Sequence, residues 1–107
     1  MKFKVFLISD AEEDIFEIYN FAASPDSQGK AESLFENIQK TCLSLENFPD
    51  RGHIPPELER INAASFLEIH FKPYRIIYQI RDKEVYIHCV LDGRRELQDL
   101  LQHRLLR

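Results

Sequence analysis

The residues able to do chemistry gather late in the chain. In VLDGRREL (90–97), an apolar strand runs into Asp92-Gly93, and Arg94 and Arg95 follow where a last helix is expected to begin. A helix start carries partial positive charge, so each cation there costs roughly 0.3–1 kcal/mol where an acid would stabilise. Two readings account for the pair. Asp92 can cap the helix by accepting from the backbone N–H of Arg94 or Arg95. Arg95 can then meet Asp99 at i,i+4, in the weaker cation-first orientation, leaving a self-neutralised, solvated turn. Alternatively, unpaired N–H groups and two guanidiniums, each with five donors in a fixed fork, suit a phosphate or a partner carboxylate. Arg75, expected to face outward from a neighbouring strand, would add a third. Taken alone, Arg75, Arg94 and Arg95 define a candidate site for an anion or an acidic partner.

The histidines are the other candidates. His70 and His88 fall on adjacent predicted strands, His103 falls on the last helix, and His53 falls in a loop where exposure is expected. An imidazole has the right unperturbed pKa for proton transfer, though a histidine on a strand or helix more often packs than reacts. With no His-x-x-x-His spacing and no carboxylate cluster, neither a metal site nor a cofactor is expected. Glu12, Glu13, Asp14 and Glu17 read as the solvated face of a helix. Tyr74 and Tyr78 alternate with isoleucine and read as sheet packing rather than as base-stacking platforms.

These groups need a scaffold. KFKVFLI (2–8) is β-branched and aromatic, as a strand requires, and is read as such rather than as a signal peptide, because acids follow it directly. Ser9 and Glu12 have capping-box spacing. Ala11, Ile15, Ile18, Tyr19 and Ala22 then recur at helical intervals. SPDSQG breaks that helix near residue 24, and Ala31, Leu34, Phe35, Ile38, Cys42 and Leu45 line a second one that Pro49 stops. Two such helices with a short break form an antiparallel hairpin. The Pro/Gly-punctuated loop PDRGHIPPELERI (49–61) leads to three strand candidates, SFLEIHF (65–71), YRIIYQI (74–80) and EVYIHCVL (84–91). The last is nearly continuous in apolar residues, like a central strand buried on both faces. Arg81-Asp82-Lys83-Glu84 can turn the hairpin between the second and third, and a short helix over 93–106 carries Leu97, Leu100, Leu101 and Leu105. The order β-α-α-β-β-β-α predicts an α+β fold, a small antiparallel sheet with the helical hairpin on one face and a short C-terminal helix.

Bulk properties narrow the class. The 107 residues suit one domain over 1–107, and no apolar run approaches a membrane span. Cys42 and Cys89 fall on apolar positions without CxxC spacing, which points to buried thiols in a reducing cytoplasm. The net charge of −4 divides unevenly: residues 1–67 hold six Lys/Arg against twelve Asp/Glu, and residues 68–107 hold eight against six. An acidic whole argues against broad affinity for phosphate backbones and directs any anion contact to the C-terminal third.

PYRIIYQI, VYIHCVLDGRREL, the leucine-rich last helix, the upstream FPDRGHIPPEL and the first-helix AEEDIFEIYNF together resemble the RelE/ParE superfamily of type II toxin–antitoxin toxins, in its ParE-like, plasmid-stabilization branch. The resemblance spans essentially the whole chain. It implies one of two activities: metal-independent, ribosome-dependent cleavage of mRNA with the RNA's 2′-hydroxyl as nucleophile, as in RelE-like members, or poisoning of DNA gyrase, as in ParE-like members. Either way it implies a cognate antitoxin whose C-terminal segment wraps the toxin and whose N-terminal part binds operator DNA. In the nuclease reading, Arg75 matches the arginine that contacts the scissile phosphate and Arg95 the one that stabilises developing charge. His88 or His103 would then move the proton. Two nuclease features are missing: the strand lysines fall at Phe66 and Glu68, and the proton-transferring tyrosine falls at Leu101. The acidic net charge departs in the same direction. These departures favour the gyrase-directed branch, with Arg75, Arg94 and Arg95 as structural or binding residues. A toxin that has lost its activity but keeps its antitoxin is a further alternative.

Overall fold

The computed structural model describes residues 2–22, 28–60 and 65–106. Strand β1 (Lys4–Leu7) leads directly into helix α1 (Ser9–Ala22), and helix α2 (Gln28–Leu43) returns beside it. The expected helix break near residue 24 lies outside the described residues. Three short 3-10 turns, Ser44–Glu46, Pro49–Arg51 and Pro56–Leu58, carry the chain across to β2 (Leu67–Phe71), β3 (Tyr74–Arg81) and β4 (Glu84–Asp92), and α3 (Gln98–Leu105) closes it. The α+β class and the element order are those expected. The four-stranded sheet has the order β1-β4-β3-β2.

The sheet is mixed rather than wholly antiparallel. β2, β3 and β4 form an antiparallel meander, while β1 joins the far side of β4 in parallel register, Lys4 opposite Glu84 and Leu7 opposite Ile87. A parallel pair needs a long crossover, and everything between β1 and β4 supplies it. The β3–β4 turn has no glycine. Asp82 takes φ of 55° instead, a left-handed conformation that a short polar side chain tolerates. The β2–β3 turn contains a cis Lys72-Pro73 bond.

Both faces of the sheet are covered. On one, Ala11, Ile15, Ile38 and Cys42 of the hairpin, with Leu45 from the first 3-10 turn, pack onto Ile69, Ile76, Tyr78, Val85, Ile87 and Val90. On the other, Leu97 and Leu101, with Leu58 from the last 3-10 turn, cover Phe66, Ile77, Cys89 and Leu91. β4 serves both layers through an irregularity at His88, where the register steps from Ile77–Cys89 to Tyr78–Ile87. Unpaired, His88 reverses the alternation, so Val85 and Ile87 face the hairpin while Cys89 and Leu91 face α3. Cys42 and Cys89 are buried thiols that form no disulfide, and burial pushes the Cys42 thiol up to about 12.

The last helix is shorter than expected. The Asp92 carboxylate takes the Arg94 N–H at 2.9 Å and the Gly93 N–H reaches the Pro73 carbonyl at 2.7 Å, so 93–97 forms a turn. Such side-chain capture competes with helical bonding. The helix begins only after Leu97 has been buried. Among the described residues, no helix is long and apolar enough to cross a membrane.

Candidate functional site

Arg75 does not face solvent. The β3 face that carries it lies beneath the Pro56–Leu58 turn and α3, and its side chain is only 14% exposed, with Glu57 above it and Glu68 beside it on β2. Its guanidinium donates four hydrogen bonds. Nε and Nη2 reach the two oxygens of Glu68 at 2.7 and 2.8 Å, and Nη1 and Nη2 reach those of Glu57 at 2.6 and 2.7 Å. Fork-to-carboxylate pairing of this kind is strong and directional. Arg75 holds the Glu57 carboxyl below its ordinary value, and the two carboxylates hold the arginine charged well above its own. Four of the five guanidinium N–H groups are thereby bonded to protein carboxylates. The expectation of an outward cation open to phosphate is corrected: the loop that covers this face brings the carboxylates with it.

That loop is held by two devices. The Tyr78 hydroxyl, buried in the sheet, donates to the Pro49 carbonyl at 2.6 Å and accepts from the Gly52 N–H at 3.1 Å. A Cβ on Gly52 would lie 2.5 Å from that hydroxyl and 2.8 Å from the Glu68 carbonyl, so only glycine fits. Beside it, the backbones of His53 and Glu68 exchange hydrogen bonds at 3.1 and 2.7 Å, extending the sheet by one bridge beyond β2. The bridge sets the His53 and Glu68 side chains opposite each other, and His70, two residues along β2, shares their face. His70 Nε2 stands 2.9 Å and His53 Nε2 3.6 Å from Glu68 oxygens. Reasoning from linear spacing missed this gathering, because its members are separated by a loop and meet only through the bridge.

Arg94 and Arg95 sit elsewhere. With Asp14, Glu17, Ile18, Phe21 and Tyr74 they rim a hollow of about 330 Å³ on the α1 side of the sheet, whose lining does not include Arg75. Arg94 is 72% exposed but spends its charge on Asp92, with Nε and Nη2 contacts of 3.0 and 2.7 Å. Arg94 draws the Asp92 carboxyl down to about 2. Arg95 is exposed, and among the described residues its guanidinium has no ion-pair partner; the expected pairing with Asp99 does not form. Neither arginine lies in a helix, so the electrostatic conflict expected at a helix start does not arise. Of the three candidate arginines, only Arg95 offers an uncommitted charge.

His88 is half-buried edge-on to Phe66, with its Nε2 enclosed and without a hydrogen-bond partner among the described residues. Burial lowers its pKa. The His88 Nε2 is thus closed to solvent. His103 is exposed on α3, and Leu101 is fully buried beneath it.

Asp14 departs from the solvated face expected of it. β1 ends before β4 does, and beyond it the Asp14 carboxylate accepts from the Val90 N–H at 3.0 Å while Arg104 donates to the His88 carbonyl at 3.0 Å. Arg104 and Asp14 are themselves bonded at 3.0 and 3.2 Å. The pair stands in for the missing strand, and burial still pushes the Asp14 carboxyl up against the pull of Arg104.

The hairpin carries an apolar concavity. Leu7, Ile15, Phe16, Tyr19, Phe35 and Cys42 line a groove of about 590 Å³ between α1 and α2, edged by Glu12 and Glu32. Phe16 and Phe21, 65% and 90% exposed, extend an apolar surface along α1. The groove is carried mainly by the hairpin itself, with Leu7 of β1 contributing at its floor.

Sequence comparison matches residues 5–97 to the ParE toxin of the type II toxin-antitoxin system, parDE. No protein of curated function matches. Among solved structures, the fold is similar to a chain of the chromosomal ParDE toxin–antitoxin system from P. aeruginosa, at TM-score 0.68 and 15% identity over 83% of this chain and 94% of that one. It is similar to a chain of the toxin–antitoxin complex RelBE2 from Mycobacterium tuberculosis, at TM-score 0.60 and 19% identity over 84% and 96%. It is also similar to a mutant of the E. coli toxin RelE in the free state, at TM-score 0.65 and 13% identity over 100% and 98%.

Proposed function

The chain belongs to the ParE toxin family of type II toxin–antitoxin systems, within the RelE/ParE superfamily, and we propose that it works by binding and poisoning DNA gyrase rather than by cutting mRNA. The observation that carries this reading is the Glu57–Arg75–Glu68 clamp. A nuclease of this superfamily would need Arg75 to meet a phosphate, and an arriving phosphate would have to displace two carboxylates already bonded to it. Leu101, where a proton-transfer group would stand, is fully buried and apolar and can neither take nor give a proton. His88 is enclosed. What remains accessible is a recognition surface: Arg95, the Arg94–Asp92 pair and the exposed Phe21 around one hollow.

A cognate antitoxin keeps the protein inactive in this reading, within the cytoplasm. Its amphipathic C-terminal segment, folding on contact, seats apolar side chains in the α1–α2 groove, and its N-terminal part carries the operator-DNA contact. Among the described residues, Arg95 and the exposed His103 are the side chains the alternative endonuclease, acting with the translating ribosome, would have to use.

The test is plasmid topology and mRNA integrity in the same cells, minutes after the protein is induced without antitoxin. Relaxed plasmid or trapped DNA breaks with intact mRNA is the expected outcome. Rapid cleavage of translated mRNA with normal topology would overturn the reading and make Arg95 a catalytic candidate. Normal growth with both unchanged would identify a member that has kept its antitoxin and lost its target.

A further inference from the structure

We propose that His53, Glu68 and His70 form a zinc-binding site that fastens the 49–60 loop to the sheet edge. The inference is independent of the choice between gyrase and ribosome. It rests on how rigidly the three groups are presented: the His53–Glu68 backbone bridge and the i,i+2 relation of Glu68 to His70 fix all three on one face, and one ligand atom from each lies within 4.8 Å of the others. Ligand atoms about 2.05 Å from a tetrahedral ion sit about 3.3 Å apart. His70 stands 2.9 Å from Glu68 Oε1, a hydrogen bond without the ion, and His53 stands 3.6 Å from Oε2, separations on either side of that figure. The two imidazoles, both exposed, stand edge-to-face with ring centres 5.4 Å apart, and turning toward each other would complete the triangle.

The electrostatics suit a dication. Glu57, Glu68 and Arg75 carry one net negative charge between them, so an ion arriving at Glu68 meets an anionic cluster despite the nearby guanidinium. Glu68 Oε2 takes one hydrogen bond from Arg75 and keeps a lone pair for the metal, whereas Oε1 also takes the hydrogen bond of His70, which zinc binding would release. Arg75 then acts as the outer partner that orients a ligating carboxylate. Each neutral imidazole binds through Nε2 with its proton on Nδ1. Two imidazoles and one carboxylate favour zinc over magnesium or calcium, which seek oxygen ligands. The fourth position faces solvent and takes water. With the ion bound, the cluster changes from one net negative to one net positive charge, next to the loop that covers Arg75.

The test is titration of the chelator-treated protein with zinc against a chromophoric chelator, with cobalt as the spectroscopic probe. One ion per chain and tetrahedral cobalt absorption are expected, undiminished by millimolar magnesium or calcium. His53→Gln and His70→Gln should each weaken zinc binding by at least about tenfold, while His103→Gln leaves it unchanged. Both altered histidines are exposed, so the variants keep the fold and their circular dichroism serves as the control. Absence of saturable zinc binding would overturn the proposal, as would binding that survives both substitutions or is lost with His103.

Discussion

Replacing Arg75 by methionine should unfold much of what the clamp holds together. Methionine keeps most of the unbranched stem that packs against Gly93, so the loss isolates the charge. Glu68, 1% exposed, would be left as a buried carboxylate without its cation, a change that costs about 3–5 kcal/mol in comparable sites. Glu57 is 17% exposed and can turn to water, so its two bonds add little. For a domain of this size, each kcal/mol lowers Tm by about 4–8 °C, which places the expected drop at about 15 °C or more. Urea denaturation followed by circular dichroism, with the slope checked for constancy, gives the free energy directly. The double variant Arg75→Met with Glu68→Met removes both charges and should recover most of the loss, because an apolar pair can replace a buried ion pair at little cost. If Arg75→Met costs under about 1 kcal/mol, or if the double variant is as unstable as the summed singles, the guanidinium is not committed to Glu68. Arg75 would then be free for a ligand, and the argument against phosphate chemistry would fail.

Other substitutions probe separate parts of the structure. His88→Phe should stabilise by about 1 kcal/mol, since it preserves the edge-on contact with Phe66 and removes an enclosed nitrogen that lacks a partner. The same change should flatten the acid side of the stability profile. Burial lowers the His88 pKa from its ordinary 6.5, so its contribution is full above that pH and is lost as the pH falls through 6.5 toward the lowered value. Thermal melts between pH 7.5 and 5 compare the two chains, and equal slopes would contradict the assignment. Gly52→Ala should destabilise by about 1–3 kcal/mol and shift the Tyr78 ring resonances, because the added methyl meets the Tyr78 hydroxyl and the Glu68 carbonyl. Leu101→Ala should cost about 2–5 kcal/mol by emptying the layer under α3. Arg95→Ala should leave stability within about 0.5 kcal/mol yet reduce toxicity, and full toxicity in that variant would remove Arg95 from the recognition surface.

The element order was legible because each element keeps its own period. Ile76, Tyr78 and their neighbours on β3 alternate as drawn from sequence, and Ile15, Ile38 and Cys42 meet the sheet at helical spacing. Three features were not legible. Parallel pairing of β1 with β4 is a relation between segments some eighty residues apart, and neither segment alone distinguishes parallel from antiparallel. The step at His88 is hidden because VYIHCVL is apolar on both sides of it, so either parity looks buried. The late start of α3 reflects competition between Asp92's local hydrogen bonds and a helical first turn, which a capping pattern leaves open.

For the candidate site, the informative residue was Glu68 rather than any arginine. A lysine at that position would repel Arg75 and leave it hydrogen-bond donors to spare, the accumulation of positive charge that phosphoryl chemistry requires. A glutamate reverses the sign and, from the same strand position, closes a fork on the arginine. Glu57 adds a second carboxylate from a turn 18 residues upstream of Arg75, beyond the reach of any spacing rule. The same neutralisation recurs at Arg94 with Asp92 and at Arg104 with Asp14, so among Arg75, Arg94, Arg95 and Arg104 it is Arg95 that keeps an uncommitted guanidinium within the described residues. A surface with one free cation, an exposed phenylalanine and neighbouring acids has too little positive charge to stabilise a developing phosphorane. It has enough mixed character to recognise a folded protein partner.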